Sequence, residues 1–140
     1  MGRGTLRLLI GLVVLGAGIG KAVDVPGFVR VIETYRLVPG GGLLPVALVV
    51  IAAELVLGTW LLSGWRLVPA ALGSVAMHLF WAALLALTLA RGLDLPNCGC
   101  FGVFFARPIR WYSPLEDLAA AGLSWLLYSL ARQAETVSSR

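Results

Sequence analysis

The sequence predicts an all-α integral membrane protein, a polytopic bundle of four transmembrane helices that forms a single membrane domain over residues 1–140. Of the 140 residues, 59% are hydrophobic and only 13% are charged, whereas about a quarter of the residues of a soluble domain are charged. The mean hydropathy is +0.91. Four apolar segments are long enough, or nearly so, to cross about 30 Å of hydrocarbon at about 1.5 Å per residue. These observations exclude an ordinary soluble domain and a disordered chain.

The four predicted spans cover residues 5–22, 43–62, 67–90 and 115–131. The first has an alternative interpretation as a signal peptide, because Arg3 and Arg7 precede its apolar core. No A-x-A cleavage site follows, however, and Gly16 and Gly20 form a small-xxx-small pair that suits close helix packing. We therefore expect this segment to be a span.

The lengths of the connections predict which segments share a side of the membrane. Only four residues join the second and third spans, so these two helices are expected to be antiparallel neighbours. The two long connections, residues 23–42 and 91–114, lie on the opposite side from both chain ends. Arg3 and Arg7 lie on a short arm, where positive charge favours the cytoplasm. We expect a multi-pass protein of the inner (plasma) membrane with cytoplasmic termini and both long loops outside the cytoplasm.

The first long loop contains a pattern typical of an amphipathic helix. Asp24 and Pro26 are residues that start helices. Apolar residues follow at positions i, i+3, i+4 and i+7, namely Phe28, Val31, Ile32 and Tyr35. This helix either caps the bundle or docks a partner.

The charge distribution argues against nucleic acid as a partner. The formal net charge is +4, but the 11 basic residues are scattered singly between apolar runs. A nucleic-acid interface needs a basic face or patch. The partner predicted from composition is therefore the lipid bilayer.

The two cysteines of the chain, Cys98 and Cys100, form a CxC motif in the second long loop. They can join only in a small ring, and Gly99 permits the unusual backbone dihedrals that such a turn needs. As a structural crosslink this disulfide would contribute only about 1.6 kcal/mol before strain is subtracted. Strained, exposed disulfides are typically labile or catalytic. Three interpretations remain open: a redox-active dithiol, a static disulfide or thiols without a redox role, and a metal site, although the single histidine leaves too few ligands for a typical zinc site.

Two ionisable residues lie inside predicted spans. Glu54 is the twelfth residue of the second span and His78 is the twelfth of the third, so each lies about 16 Å from its entry face, near the midplane. Intramembrane ionisable residues are costly and are candidates for function. A Glu54–His78 pair could relay a proton or bind a quinone headgroup, or it could be a buried hydrogen bond that fixes helix packing.

The string Cys-Gly-Cys-Phe-Gly at residues 98–102 resembles the motif of the MauE methylamine-utilisation membrane proteins, within the wider DoxX-like group. Glu54, with the Leu57-Gly58 pair after it, resembles the second span of that group. Its first loop is matched by Lys21, Asp24, Phe28, Ile32, Tyr35, Leu37 and Pro39. The resemblance implies a four-helix inner-membrane protein associated with thiol-disulfide exchange outside the cytoplasm, alongside a thioredoxin-like partner. In methylamine users such proteins are linked to the maturation of a disulfide-rich dehydrogenase subunit.

Three functional hypotheses follow from the residues and the resemblance. The first is a component of a thiol-disulfide oxidoreductase system that uses Cys98 and Cys100. The bundle also resembles quinone-linked disulfide-forming membrane enzymes, but those use two cysteine pairs and this chain has one. The second hypothesis is a non-enzymatic scaffold or anchor for a redox partner. The third is a small metal- or solute-handling membrane protein, and a homo-oligomer is compatible with each.

Overall fold

The computed structural model describes residues 2–138, and these residues fold into helices joined by turns and loops. The helices are α1 (Arg3–Val23), α2 (Val25–Thr34), α3 (Leu43–Ser63), α4 (Leu67–Ala90) and α5 (Ser113–Ser138), with a short 3-10 turn at Gly40–Gly42 before α3. No β-strand occurs within residues 2–138. The predicted all-α class is confirmed.

Three helical segments are long and apolar enough to cross a membrane. They are Arg3–Val23, Gly40–Ser63 and Leu67–Ala90. Large apolar side chains are exposed on their outer faces, among them Leu12, Val49 and Phe80, as expected where helices face lipid rather than water. The chain is therefore a membrane protein. Helix α5 is as long as these segments but more polar, with acidic residues at its start and charged residues near its end.

The helices pack as two pairs. Helix α1 lies along α3, and α4 lies along α5, whereas α3 and α4 contact each other over a much shorter stretch. The connection Ser63–Arg66 therefore makes α3 and α4 neighbours in sequence without making them the main packing partners. Apolar clusters close the bundle at both ends, and a space is left between the two pairs in the middle.

Close packing of α1 against α3 depends on glycines other than the predicted ones. A Cβ atom at Gly58 would lie 2.6 Å from the backbone nitrogen of Leu15 in α1. Gly11 and Gly18, two turns apart on α1, face α3 in the same way, but a Cβ atom at Gly16 would meet nothing within 4 Å. The predicted close packing is wrong for Gly16, because α3 packs on a different face of α1, whereas a Cβ atom at Gly20 would lie 2.6 Å from the carbonyl oxygen of Phe101 in the second long loop.

Helix α2 forms in the first long loop, where the sequence predicts an amphipathic helix. The side chain of Asp24 accepts a hydrogen bond from the backbone N–H of Gly27 at 2.8 Å, which caps the start of the helix. Phe28, Val31 and Tyr35 are buried against α3, α4 and the second long loop. Helix α2 thus covers the end of the bundle at which both cysteines lie.

Candidate functional site

The backbone around the two cysteines is a hydrogen-bonded turn. The N–H of Cys98 donates to the carbonyl of Arg107 at 2.8 Å, which ties the two sides of the loop together. The Asn97 side chain accepts from the N–H of Gly99 at 2.8 Å and donates to the carbonyl of Gly102 at 3.1 Å. Hydrogen bonds within the loop therefore define the local conformation of the turn.

Gly99 is needed in this turn for two reasons. Its φ is +73°, in the left-handed region that favours glycine. A Cβ atom there would also lie 2.8 Å from Cγ1 of Val31 in α2. A side chain at this position would strain the backbone and push the turn away from α2.

The two sulfur atoms have different environments. Both thiols are free; Cys98 is half-buried and Cys100 is exposed. The Cys100 thiol hydrogen-bonds to Cys98, and the Cys100 backbone N–H donates to the Cys98 sulfur at 3.3 Å. These bonds, together with the positive charges of Arg107 and Lys21, lower the pKa of Cys98 to about 6. The same thiol hydrogen bond raises the pKa of Cys100. Cys98 is therefore the sulfur that is a thiolate at neutral pH.

A buried lysine ties the turn to the helices. The Lys21 ammonium donates to both carboxylate oxygens of Glu54, at 2.7 and 2.9 Å, and to the carbonyl of Cys100 at 2.6 Å. Lys21 is 2% exposed and Glu54 is 3% exposed. Because an ammonium group has three N–H bonds, Lys21 is fully satisfied. It joins the end of α1, the middle of α3 and the cysteine turn at one point.

A tyrosine provides a second anchor. The hydroxyl of Tyr35, at the end of α2, donates to the carbonyl of Cys98 at 2.6 Å. Arg91, at the end of α4, donates in turn to the Tyr35 carbonyl at 2.7 Å. Burial raises the pKa of Tyr35, so its hydroxyl keeps its proton and remains a donor. The carbonyls of both cysteines are thus held by buried side chains.

The two intramembrane residues singled out from the sequence have different partners from those expected. Glu54 binds Lys21, and His78 pairs with Asp117 of α5 through Nδ1 and Oδ1 at 3.1 Å. The expected direct contact between Glu54 and His78 is absent from the hydrogen bonds and ion pairs of the described residues. The reason is that α3 packs mainly on α1, whereas α4 packs mainly on α5. Each ionisable residue therefore finds its partner within its own helix pair.

A cavity of about 550 Å³ lies between the helix pairs and collects these groups. Its wall is largely apolar and comes mainly from α1, α2, α3 and α4. The polar and sulfur-bearing residues that line it are Lys21, Tyr35, Glu54, His78, Cys98, Cys100 and Asp117. The structure thus brings Glu54, His78, Cys98, Gly99 and Cys100 to one place, although Glu54 and His78 are not paired. No group of three or more His, Cys, Asp or Glu side chains suited to a metal ion occurs in the part of the chain that the structure describes.

Sequence reasoning missed three residues of this site. In the sequence, Lys21 is a charge beside a span and Asp117 is an acidic residue suited to the start of a helix. Tyr35 belongs to the apolar face of the predicted amphipathic helix. The available signal was the side of the membrane that these residues share: all three lie at helix ends next to the two long loops, and the second of these loops carries the cysteines.

We expect Lys21→Met to destabilise the protein by about 3–5 kcal/mol, because it leaves the Glu54 carboxylate buried without its partner. The double variant Lys21→Met/Glu54→Leu removes both charges and should recover most of that loss. Unfolding curves of the full chain in detergent measure both effects. Equal stability of Lys21→Met and the unaltered protein would contradict the assigned ion pair.

The rate of alkylation of Cys98 should fall as the pH decreases through about 6, since its lowered pKa keeps the reactive thiolate present above that value. Cys100→Ala removes the thiol donor and should move the midpoint toward the ordinary value of about 8.5. Site-resolved mass spectrometry after short pulses of iodoacetamide measures the rate at each sulfur. A midpoint near 8.5 in the unaltered protein would contradict the described environment of Cys98.

Comparison with known proteins shows the family to which the chain is related. The family model described as "Methylamine utilisation protein MauE" matches residues 3–131, which include the cavity and both cysteines. The chain is similar to "Methylamine utilization protein MauE" of Paracoccus denitrificans, with 31% identity over 119 residues. The match covers 85% of this chain and 64% of the relative, so the chain spans less than two thirds of that protein's length. No solved structure matches the chain. On the extent of the family match, the chain belongs to the MauE family.

Proposed function

We propose that this chain is a membrane-bound thiol-disulfide exchange protein in which Cys98 and Cys100 form the reactive pair. The observation that carries the proposal is the pair of hydrogen bonds from Cys100 to the Cys98 sulfur. They stabilise a thiolate at Cys98 while keeping the second thiol beside it. A thiolate with a pKa near the ambient pH is the most effective attacking group in disulfide exchange.

The exchange proceeds in two displacements. The Cys98 thiolate attacks one sulfur of a partner disulfide, so the partner's S–S bond breaks and its other sulfur leaves as a thiolate. Cys100 then loses its proton and attacks the Cys98 sulfur, which closes the Cys98–Cys100 disulfide and releases the second partner thiolate. Two electrons pass from the pair to the partner, and the reverse sequence oxidises a partner dithiol.

The anchored carbonyls support this chemistry. A small disulfide ring needs the cysteines to stay close through both oxidation states. Tyr35 holds the Cys98 carbonyl and Lys21 holds the Cys100 carbonyl, so the turn can change its sulfur bonding without leaving the cavity. Because the backbone is held at both cysteines, we propose that the pair can cycle between dithiol and disulfide.

The partner proposed for this exchange is a thioredoxin-like protein outside the cytoplasm. The exposed Cys100 and the exposed aromatic residues Phe104, Phe105 and Trp111 belong to the same loop, which offers a partner apolar side chains on the segment that carries the sulfurs. In this proposal α5 is the fourth span of a single membrane domain in the inner membrane, and the start of α1 faces the cytoplasm. The name of the relative from Paracoccus denitrificans favours a role in methylamine utilisation.

The trapping experiment tests the proposal with the full chain in cells. Cys100→Ser removes the resolving thiol, so the first mixed disulfide should accumulate on Cys98. Cys98→Ser is the matched control and should accumulate none. Acid quenching, non-reducing electrophoresis and mass spectrometry identify the adducts.

Equal trapping by both variants would contradict the roles assigned to the two sulfurs. If neither variant trapped a partner, and a variant with serine at both positions kept full function in the cell, the exchange mechanism would be wrong and the scaffold hypothesis would replace it.

A further inference from the structure

The cavity beside the cysteine turn is open toward the membrane. A second, adjoining cavity of about 430 Å³ is lined only by residues of α3 and α4. The two cavities share Val46, Val50, Glu54, Met77, Phe80 and Trp81. Because both helices are spanning segments and Phe80 is 59% exposed, the shared wall marks a lateral opening between α3 and α4 at the depth of the bilayer.

The cavity of about 550 Å³ has a lining that suits a flat, apolar molecule. Aromatic rings of Phe28, Tyr35, Phe80 and Trp81 contribute to its wall, and the rest is mainly aliphatic. A volume of about 550 Å³ lies within the range of small-molecule and cofactor sites, about 300–1,000 Å³. The space is therefore large enough for a ring compound with part of an attached chain.

His78 offers the cavity a nitrogen that is available to a ligand. All three N–H bonds of the Lys21 ammonium are used. His78 also lines the cavity, and among the hydrogen bonds of the described residues it uses only Nδ1, which is paired with Asp117. Its Nε2 atom has no partner among these bonds and can donate to a ligand oxygen when the ring is an imidazolium paired with the Asp117 carboxylate, which also fixes the ring orientation.

The cysteines complete the wall at the loop end of the same cavity. A ligand that enters between α3 and α4 therefore reaches the reactive pair from the membrane, while a protein partner reaches it from the exposed side. The pair has one exposed and one half-buried sulfur, which suits exchange with two different reactants.

We propose that the cavity binds a lipid-soluble quinone, with its ring among the aromatic side chains and one carbonyl oxygen at His78, and that this quinone is the electron acceptor of the cysteine pair. The inference rests on the proposed exchange function and names its second reactant. It follows from the combination of a lateral opening, an aromatic lining, a free histidine nitrogen and adjacent thiols.

Reduction of the quinone by the cysteine pair transfers two electrons and two protons. The Cys98 thiolate and the Cys100 thiol lose two electrons, and Cys100 loses its proton as the S–S bond forms. The quinone gains these two electrons and two protons, one from Cys100 and one from water, and leaves as a hydroquinone. His78 is placed to pass a proton to the carbonyl oxygen that it binds.

The test uses the purified full chain in detergent, with decylubiquinone as the probe. Binding is measured by quenching of tryptophan fluorescence in the Cys98→Ala/Cys100→Ala variant, where no electrons can be transferred. Ala83 lines the cavity and Ala86, on the same helix, does not. Adding Ala83→Phe to that variant should weaken binding by at least about tenfold, and adding Ala86→Phe should leave it unchanged.

Electron transfer is measured separately, with pre-reduced protein without air. One hydroquinone should form for each Cys98–Cys100 disulfide, and Ala83→Phe should slow this reaction while Ala86→Phe does not. Absence of binding, or equal binding by the two phenylalanine variants, would overturn the quinone site. Binding without reduction would overturn the electron-transfer step.

The outcomes also separate this inference from the proposed function. If Cys100→Ser traps a partner but decylubiquinone does not bind, the quinone site is wrong and the exchange function stands. If the quinone binds and is reduced but no partner is trapped, the site stands and exchange with a protein partner is wrong.

Discussion

A buried ammonium group can stay charged inside a membrane bundle only if every one of its N–H bonds is satisfied, because the cost of removing it from water is several kcal/mol. Lys21 meets this requirement with the two oxygens of Glu54 and the carbonyl of Cys100. The position of the cysteine turn therefore depends on a charge pair between α1 and α3. Moving the turn would leave an N–H bond of Lys21 unsatisfied in an apolar cavity.

The same geometry separates the two sulfurs chemically. The anchored carbonyls fix the turn, the left-handed Gly99 allows it, and the turn directs the Cys100 N–H to the Cys98 sulfur. The hydrogen bond between the two thiols, which this turn brings together, lowers the pKa of Cys98 and raises that of Cys100. In our proposal, the cavity adds a route for apolar molecules from the membrane. The cysteines are then reached both from the lipid and from the exposed side of the loop.

The helices and the cysteine motif could be predicted from sequence, because span length, apolar content and the spacing of Cys98 and Cys100 are local properties. The ion pairs could not, because they depend on which helices pack together. The four-residue connection suggested α3 against α4, whereas Gly58 and its counterparts Gly11 and Gly18 place α1 on α3. Glu54 and His78 can be recognised as unusual from their positions inside spans, but their partners Lys21 and Asp117 cannot, because the sequence does not show which helices meet.

The central claim, that Cys98 and Cys100 are a reversible redox pair outside the cytoplasm, is tested most directly by labelling intact cells. A membrane-impermeant, mass-tagged maleimide is applied before and after an impermeant reductant. We expect labelling of both cysteines only after reduction, because electron transfer to the proposed quinone would keep the accessible pair oxidised in the cell. Labelling without reductant would show free thiols and contradict the quinone as electron acceptor. No labelling under either condition would mean a cytoplasmic or shielded pair and would contradict the central claim.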